Sequence, residues 1–439
     1  MPPTVTPTKA NDWEEIYAGL VGLFIALALI KWGNPVIMDA QIATPLSYWE
    51  LALAPWPVSW AYRLALVVLL GSLFFAKNVT GVSRLWLALP LVWFGLQILS
   101  AFFAVDSNPC WMVIPHFGVA VAMFFIGVYC LPHITRVGPF WMALVGAFVV
   151  LVIIGLRQQF GGLEETRRFL YSLPNWQELP SEFLQKIASN RIYSTLVYPN
   201  AFAGTLLLLT PISMLWMARA VGGYPAAIRW IVLASAFGLS TGCLYWSGSK
   251  AGWLIALIQI LAGLSHLKTT RRLKVCLLFG LLVAGVVGFC LKYQGYFERG
   301  ATSVTARLDY WRSAWITIKE FPVLGSGPGS FMVRYKELKD PTSEMTRLAH
   351  NDYLQQAADS GVVAGLAFLA FWTVGIVLLY RNSGRDWVAY SVFLGLLGVG
   401  IQGFVEFGLY IPAVSWPSWL LLGWFVARGN RIDKAGSHS

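Results

Sequence analysis

The chain has 439 residues, 57% of them apolar and 12% charged, with a formal net charge of +11. Soluble domains carry roughly 25% charged residues, so this composition excludes a soluble globular protein and points to an all-α, polytopic integral membrane protein. The apolar residues run in continuous segments, not in the short alternating ones of a transmembrane β-barrel. The positive charges form no single patch, so nucleic acid is not expected as a partner.

A spanning helix needs about 20 apolar residues. On that basis twelve transmembrane helices are expected, at about 14–33, 58–76, 83–104, 111–131, 139–157, 200–218, 229–247, 250–267, 274–292, 361–380, 387–409 and 412–428. The first of them reads as an uncleaved anchor. The expected organisation is helices one to five in 1–157, an outer loop at 158–199, helices six to nine in 200–292, a large outer loop at 293–360, and helices ten to twelve with a cytoplasmic tail in 361–439. Cys110, Cys130, Cys243, Cys276 and Cys290 lie in or beside the apolar runs, without metal-ligand spacing, and read as packing residues.

Short-loop charge sets the orientation. Lys77 and Arg84, Arg136, Arg219 and Arg229, Lys268 to Lys274, Arg381 and Arg385, and Arg428 to Lys434 occupy alternate loops, which are expected to be cytoplasmic. The two long loops on the other side are nonetheless rich in Arg and Lys. Long loops cross a membrane regardless of charge, so insertion does not explain these cations, and an anionic ligand would.

The first long loop ends with Arg191 and then Tyr198-Pro199-Asn200. Asn200 is a good N-cap for the sixth helix, whose positive dipole end then faces outward as an anion site. Arg191 either shares that site or snorkels to lipid headgroups. Lys250 follows Ser247-Gly248-Ser249 in a turn that must be tight. It either caps the last carbonyls of the seventh helix or faces an anion. Glu406 reads as a carboxylate deep in the eleventh span, packed against an arginine.

The second long loop carries two candidate helices around a glycine-rich turn. Thr302, Ser303 and Thr305 offer N-caps for the first, and Leu308, Trp311, Trp315 and Ile318 recur at helical spacing as its apolar face. Arg307 lies in its first turn, where the helix dipole disfavours a cation. An anionic ligand accounts for that placement, or Asp309 serves as a local partner. Pro322 ends the helix, and Gly325-Ser326-Gly327-Pro328-Gly329 makes a tight turn. Leu348 onward, including His350, Asn351 and Asp352, begins a second short helix that closes near Gly361. His350 is the histidine of the long outer loops and reads either as a general base or as a helix cap.

Taken in order, four pieces resemble the O-antigen ligase and polymerase superfamily of bacterial envelope glycosyltransferases. They are Arg191 with Tyr198-Pro199-Asn200-Ala201-Phe202-Ala203; Ser247-Gly248-Ser249-Lys250-Ala251-Gly252; Arg307-Leu308 through Trp311 with Pro322 to Gly329; and His350-Asn351-Asp352-Tyr353-Leu354-Gln355. Lys250 stands where an arginine is common in that family.

The resemblance implies a GT-C-like membrane fold in the bacterial inner (cytoplasmic) membrane with the active site facing the periplasm. It implies a metal-independent, inverting transfer of a glycan from an undecaprenyl-diphosphate-linked donor to a sugar hydroxyl, with no cofactor. The first acceptor to expect is the lipid A core (a ligase). A growing glycan (a polymerase) and a protein hydroxyl (an O-oligosaccharyltransferase) are the alternatives, and a polysaccharide transporter is the rival of another class. In this reading Arg191 and Arg307 hold diphosphate and His350 activates the acceptor. Lys250, Arg312 and Asn200 assist in binding, and Asn351 and Asp352 orient the imidazole. No outer carboxylate pair is spaced as a metal clamp: Asp340 and Glu344 are not.

Overall fold

A computed structural model describes residues 12–172, 176, 184, 188–298, 302–341, 343–384 and 386–436. The α-helices run α1 Asp12–Lys31, α2 Tyr48–Leu53, α3 Val58–Phe75, α4 Arg84–Ala101, α5 Ser107–Tyr129, α6 Gly138–Arg157, α7 Leu163–Ser172 and α8 Pro199–Ala220. They continue with α9 Ala226–Trp246, α10 Lys250–His266, α11 Arg271–Glu298, α12 Thr302–Glu320, α13 Phe331–Leu338, α14 Asp352–Ser383, α15 Trp387–Gln402 and α16 Pro412–Gly436.

Each of the twelve expected stretches overlaps one of these helices. Among the described residues, nine helices are long and apolar enough to cross a membrane. α10 and α15, with 17 and 16 residues, are shorter. At 1.5 Å per residue each reaches about 25 Å, against a hydrocarbon core of about 30 Å. α16 also falls outside the nine; its last turns carry Arg428, Arg431, Asp433 and Lys434.

α16 is the centre of the bundle. Trp416, Trp419, Leu420, Leu421, Leu422 and Trp424 are all buried, as expected for a helix that is apolar all round. It lies along α5 and also touches α1, α8, α14 and α15. α6 packs on α1, α4 on α14, and α8 on α15. α10 and α11 pack together at the side, and the apolar window of α11 holds no buried residue. Its apolar side chains therefore face outward, the position of a lipid-facing helix.

Three boundaries differ from expectation in ways that place the site. The stretch expected to span 387–409 ends as a helix at Gln402, so Glu406 sits in the connection before α16 rather than inside a span. α14 begins at Asp352, with the Asn351 side chain accepting from the Leu354 backbone N–H, and runs on through a kink at Ser360–Gly361 into the expected tenth span. A further short helix, α13, lies between the two expected in the large loop. Phe331 and Tyr335, one turn apart, bury it against Tyr310, Ala314 and Ile318 of α12. The buried face of α12 is thus rotated from the expected one, and Leu308 and Trp315 are exposed. The chain just before Thr302, where a cap would lie, is outside the described residues.

The glycine-rich turn holds α12 and α13 to the bundle. Ser326 N–H donates to Ala358 C=O at 2.9 Å, Gly327 N–H to Asp359 C=O at 2.8 Å, and Val362 N–H to Pro322 C=O at 2.9 Å. These bonds use the carbonyls and N–H freed by the α14 kink. Ser100 Oγ of α4 donates to the same Asp359 carbonyl at 2.8 Å. Gly361 has φ +88°, and a Cβ there would lie 2.1 Å from the Val323 carbonyl oxygen.

Gly361→Ala therefore meets both the cost of a positive-φ, extended-ψ backbone that is essentially glycine-only, about 1–3 kcal/mol, and a backbone clash. A fall of several degrees in the thermal unfolding midpoint of the detergent-purified protein is expected. An unchanged midpoint would show that the turn does not dock as described.

Candidate functional site

A cavity of 640 Å³ lies where several connections meet at one end of the bundle, a size within the roughly 300–1,000 Å³ of ligand sites. Its wall comes from separate parts of the chain. Pro35, Ile37 and Met38 follow α1. Arg191, Tyr198 and Asn200 precede and open α8. Gly248 to Lys250 join α9 to α10, and Phe289 and Tyr296 end α11. Arg307, Leu308, Tyr310 and Trp311 come from α12, Glu344 to His350 from the loop before α14, and Val405 to Phe407 from the connection before α16.

Glu406 joins these parts. Its carboxylate accepts from Arg307 Nη2, from Asn200 Nδ2 at 2.6 Å and from His350 Nδ1 at 3.2 Å. Burial pushes its pKa up, but the His350 hydrogen bond and the Arg307 and His350 charges outweigh that and hold it below the ordinary carboxylate value. Glu406 is therefore ionised and can only accept, so Nδ1 of His350 carries the shared proton, and Nε2 is the nitrogen that holds the lone pair in the neutral ring.

Arg307 is fixed further by donating Nε to Val405 C=O and Nη1 to Ser303 C=O, both at 3.0 Å. The start of α12 at Thr302 puts Arg307 in the second turn rather than the expected first, and its counter-charge is Glu406, not Asp309, which accepts from Tyr335 Oη at 2.8 Å. Arg191 donates Nε to Ser247 C=O at 2.7 Å and Nη2 to Asn200 Oδ1 at 2.6 Å. Burial lowers the pKa of its guanidinium, and the nearby Arg307 charge adds to this while Glu406 and Tyr293 oppose it. The Arg191 side chain lies across Gly248, where a Cβ would stand 3.0 Å from Nε. Lys250 follows in the tight turn, its Nζ 3.9 Å from the Tyr296 ring centre, a cation–π contact.

His350 has φ +50°, unusual outside glycine. Its backbone is pinned on both sides: Ala349 N–H donates to Gln355 Oε1 at 2.6 Å, and Asn351 caps α14. Its ring lies 5.6 Å from Tyr310 in a stacked arrangement and 4.6 Å edge-on from Phe407. A non-glycine residue held in this conformation by several contacts is a mark of a functional position.

The structure brings Arg191, Asn200, Lys250, Arg307 and His350 to one cavity, and does not bring Arg312, Asn351 or Asp352 there. Arg312 points outward, 61% exposed, 3.6 Å from Asp309. Asn351 is occupied as the cap of α14. Asp352 is buried; its N–H donates to Gly403 and Glu406 carbonyls at 2.7 and 3.1 Å, and its Oδ2 accepts from Leu409 N–H at 3.1 Å. It staples the Glu406 connection to the start of α14, and the residue that orients the imidazole is Glu406. Asn200 lies in the first turn of α8 after Pro199 rather than at its cap, and its amide bridges Arg191 to Glu406. The sequence reading passed over Glu406 as a site residue and over Arg347, which also lines the cavity. Gly403 and Gly408, flanking Glu406, were the signal that the span breaks there. Among the described residues no group of three or more His, Cys, Asp or Glu is arranged to hold a metal ion.

Residues 235–369 match the family model described as O-antigen ligase. The match contains Lys250, Arg307, Arg347 and His350, and leaves Arg191, Asn200 and Glu406 outside. A curated relative, an uncharacterized protein of Haemophilus influenzae, is 29% identical over 134 residues, which make 29% of this chain and 32% of the relative. The chain thus matches about a third of that relative's length. The apolar helices together with the family match indicate a multi-pass membrane protein, of which residues 235–369 are similar to the O-antigen ligase family.

Because the Glu406 pKa is depressed by folding, the stability it contributes is present above the ordinary carboxylate value of 4.5 and is lost as pH falls below it. Glu406→Gln should cost about 3 kcal/mol or more at neutral pH, since it leaves Arg307 half-buried without its counter-charge. The gap in melting temperature between wild type and Glu406→Gln should then close on acidification below 4.5. A gap independent of pH would show that the carboxylate charge does not stabilise the cluster.

Proposed function

We propose, taking residues 235–369 as an O-antigen ligase domain, that the protein transfers a glycan from a lipid-linked diphosphate to a sugar hydroxyl at the periplasmic face of the bacterial inner membrane. The donor is an undecaprenyl-diphosphate-linked glycan and the acceptor is the lipid A core. The observation that carries this reading is the convergence of Arg191, Lys250, Arg307 and His350 on one cavity. It unites cations suited to a diphosphate with a histidine whose Nδ1 is held by a carboxylate.

In the proposed reaction the acceptor hydroxyl attacks the anomeric carbon and gives its proton to Nε2 of His350. The new C–O bond forms as the bond from that carbon to the phosphate oxygen breaks, on the opposite face of the sugar, and the configuration inverts. The electron pair leaves with the diphosphate. Arg191, Lys250 and Arg307 offset the charge developing there, the part a divalent metal plays in other transferases. Glu406 stabilises the imidazolium that forms, and holds the ring in the tautomer that makes Nε2 basic. The apolar stretch of cavity wall at Leu254 and Phe289, on the outlying α10 and α11, suits the lipid part of the donor.

The orientation is tested by labelling. A single cysteine at position 343, in a background without the five native cysteines, should react with a membrane-impermeant maleimide once the outer membrane alone is permeabilised. Labelling that needs the inner membrane opened would overturn the periplasmic placement.

Chemistry is tested with purified protein, an undecaprenyl-diphosphate glycan, and in parallel a lipid A core and a free glycan as acceptors. Product on the core is expected; product on the free glycan instead would make the protein a polymerase. Arg191→Ala and Arg307→Ala should each lose at least about tenfold in transfer, with partial rescue by Lys. His350→Ala and His350→Asn should both lose about 10²–10⁴-fold in turnover while donor binding stays near normal. Near-normal turnover in His350→Asn would sink the assignment of the base.

A further inference from the structure

Arg347 is unlike the other arginines of the cavity. Arg191 and Arg307 are each committed to backbone and side-chain acceptors. Arg347 is half-buried in the cavity wall and makes no ion pair or hydrogen bond with a described residue. Ordering a long side chain in a partly desolvated wall without a counter-charge is unfavourable, and a ligand anion would offset that cost.

Its place in the chain indicates which ligand. Arg347 and His350 leave one short loop, separated by Leu348 and Ala349, both buried. The loop is fixed at both ends of this spacer. Thr346 Oγ1 donates to Leu348 C=O at 3.0 Å, and Ala349 N–H donates to Gln355 Oε1 at 2.6 Å. Arg191, Lys250 and Arg307 come from three other elements. Inversion puts the attacking hydroxyl and the leaving diphosphate on opposite faces of the sugar ring. The segment that supplies the base therefore also supplies the acceptor's wall.

We infer that Arg347 is an acceptor-binding residue that selects an acceptor bearing an anionic group, phosphate or carboxylate, near its reactive hydroxyl. This rests on the proposed transfer reaction, with His350 as its base. It assigns Arg347 to the acceptor and not to the donor diphosphate, and makes the acceptor's charge a determinant of specificity. Arg347 binds here and takes no part in the proton transfer.

The test is a binding titration with the full-length protein in detergent. The probes are a rough-type lipid A core as isolated, the same core after its phosphates are removed with hydrofluoric acid, and the same core with its carboxyls amidated. Wild type should bind the intact core about tenfold or more tighter than one of the two altered forms, and which form is weakened identifies the anion. Arg347→Ala should bind the intact core as weakly as wild type binds that altered form, and should no longer discriminate between them. Arg347→Lys should restore part of the preference, which also shows that the loop still folds. Affinity for the undecaprenyl-diphosphate glycan should be unchanged in Arg347→Ala.

Equal binding of all three cores by wild type would overturn the inference. So would an Arg347→Ala variant that keeps the wild-type preference, or one that loses donor affinity as severely as acceptor affinity. A failure of the transfer reading itself appears differently, as donor and acceptor both bound with no product, and leaves these binding ratios readable.

Discussion

One buried carboxylate organises the end of this bundle that holds the cavity. Glu406 takes hydrogen bonds from Arg307, Asn200 and His350, and through Asn200 it also positions Arg191. In a partly desolvated site these bonds are strong, and leaving any one partner without its mate is costly. The side chains it gathers belong to α8, α12 and the loop before α14, elements that do not follow one another in the chain. Their mutual geometry is therefore set by a side chain and not by backbone continuity. That suits the proposed reaction, which needs a base in one tautomer and cations at fixed positions, because an arginine that donates to a backbone carbonyl and a carboxylate has little rotamer freedom left.

The bundle supplies what the carboxylate cannot. The connection that carries Glu406 is stapled to the start of α14 by Asp352. α14 is held at its kink by the glycine-rich turn, and that turn also fixes α12 and so Arg307. The site is thus braced from two sides by hydrogen bonds to backbone groups that a broken helix leaves free. The kink at Ser360–Gly361 makes the carbonyls of Ala358 and Asp359 available to Ser326 and Gly327. A straight helix would have consumed them internally.

Much of this was legible in the sequence because apolar length is a strong signal. The twelve stretches each met a helix, and Arg191, Lys250, Arg307 and His350 stood out as charges on the side where insertion does not call for them. What escaped was contact between distant parts. Glu406 lay inside an apolar run that read as one span, and only the glycines beside it hinted at the break. Asn351 and Asp352 are neighbours of His350 in the chain, but Asn351 caps the backbone of its own helix and Asp352 accepts from Leu409 N–H, so neither reaches the imidazole. The supporting carboxylate had to come from elsewhere. The apolar face of α12 was misjudged for a related reason: α12 meets two surroundings, the α13–α14 layer on one side and the cavity on another, and helical spacing alone does not tell them apart. Arg312 followed the same logic, one turn from the site but directed outward.

On the proposed reaction the charges that meet the donor in the cavity must balance through the transfer. Arg191, Lys250 and Arg307 carry three positive charges and Glu406 carries one negative, so that region is left with two positive charges in need of counter-charge. A diphosphate esterified at both ends brings two negative charges and neutralises it. Once the glycan has departed, the remaining diphosphate has a free terminal oxygen and carries one more negative charge, while His350, having taken the acceptor's proton, carries one more positive charge. On the proposed reaction the charge balance is thus kept through the transfer, and the spent lipid is held at least as firmly as the donor until His350 gives up its proton.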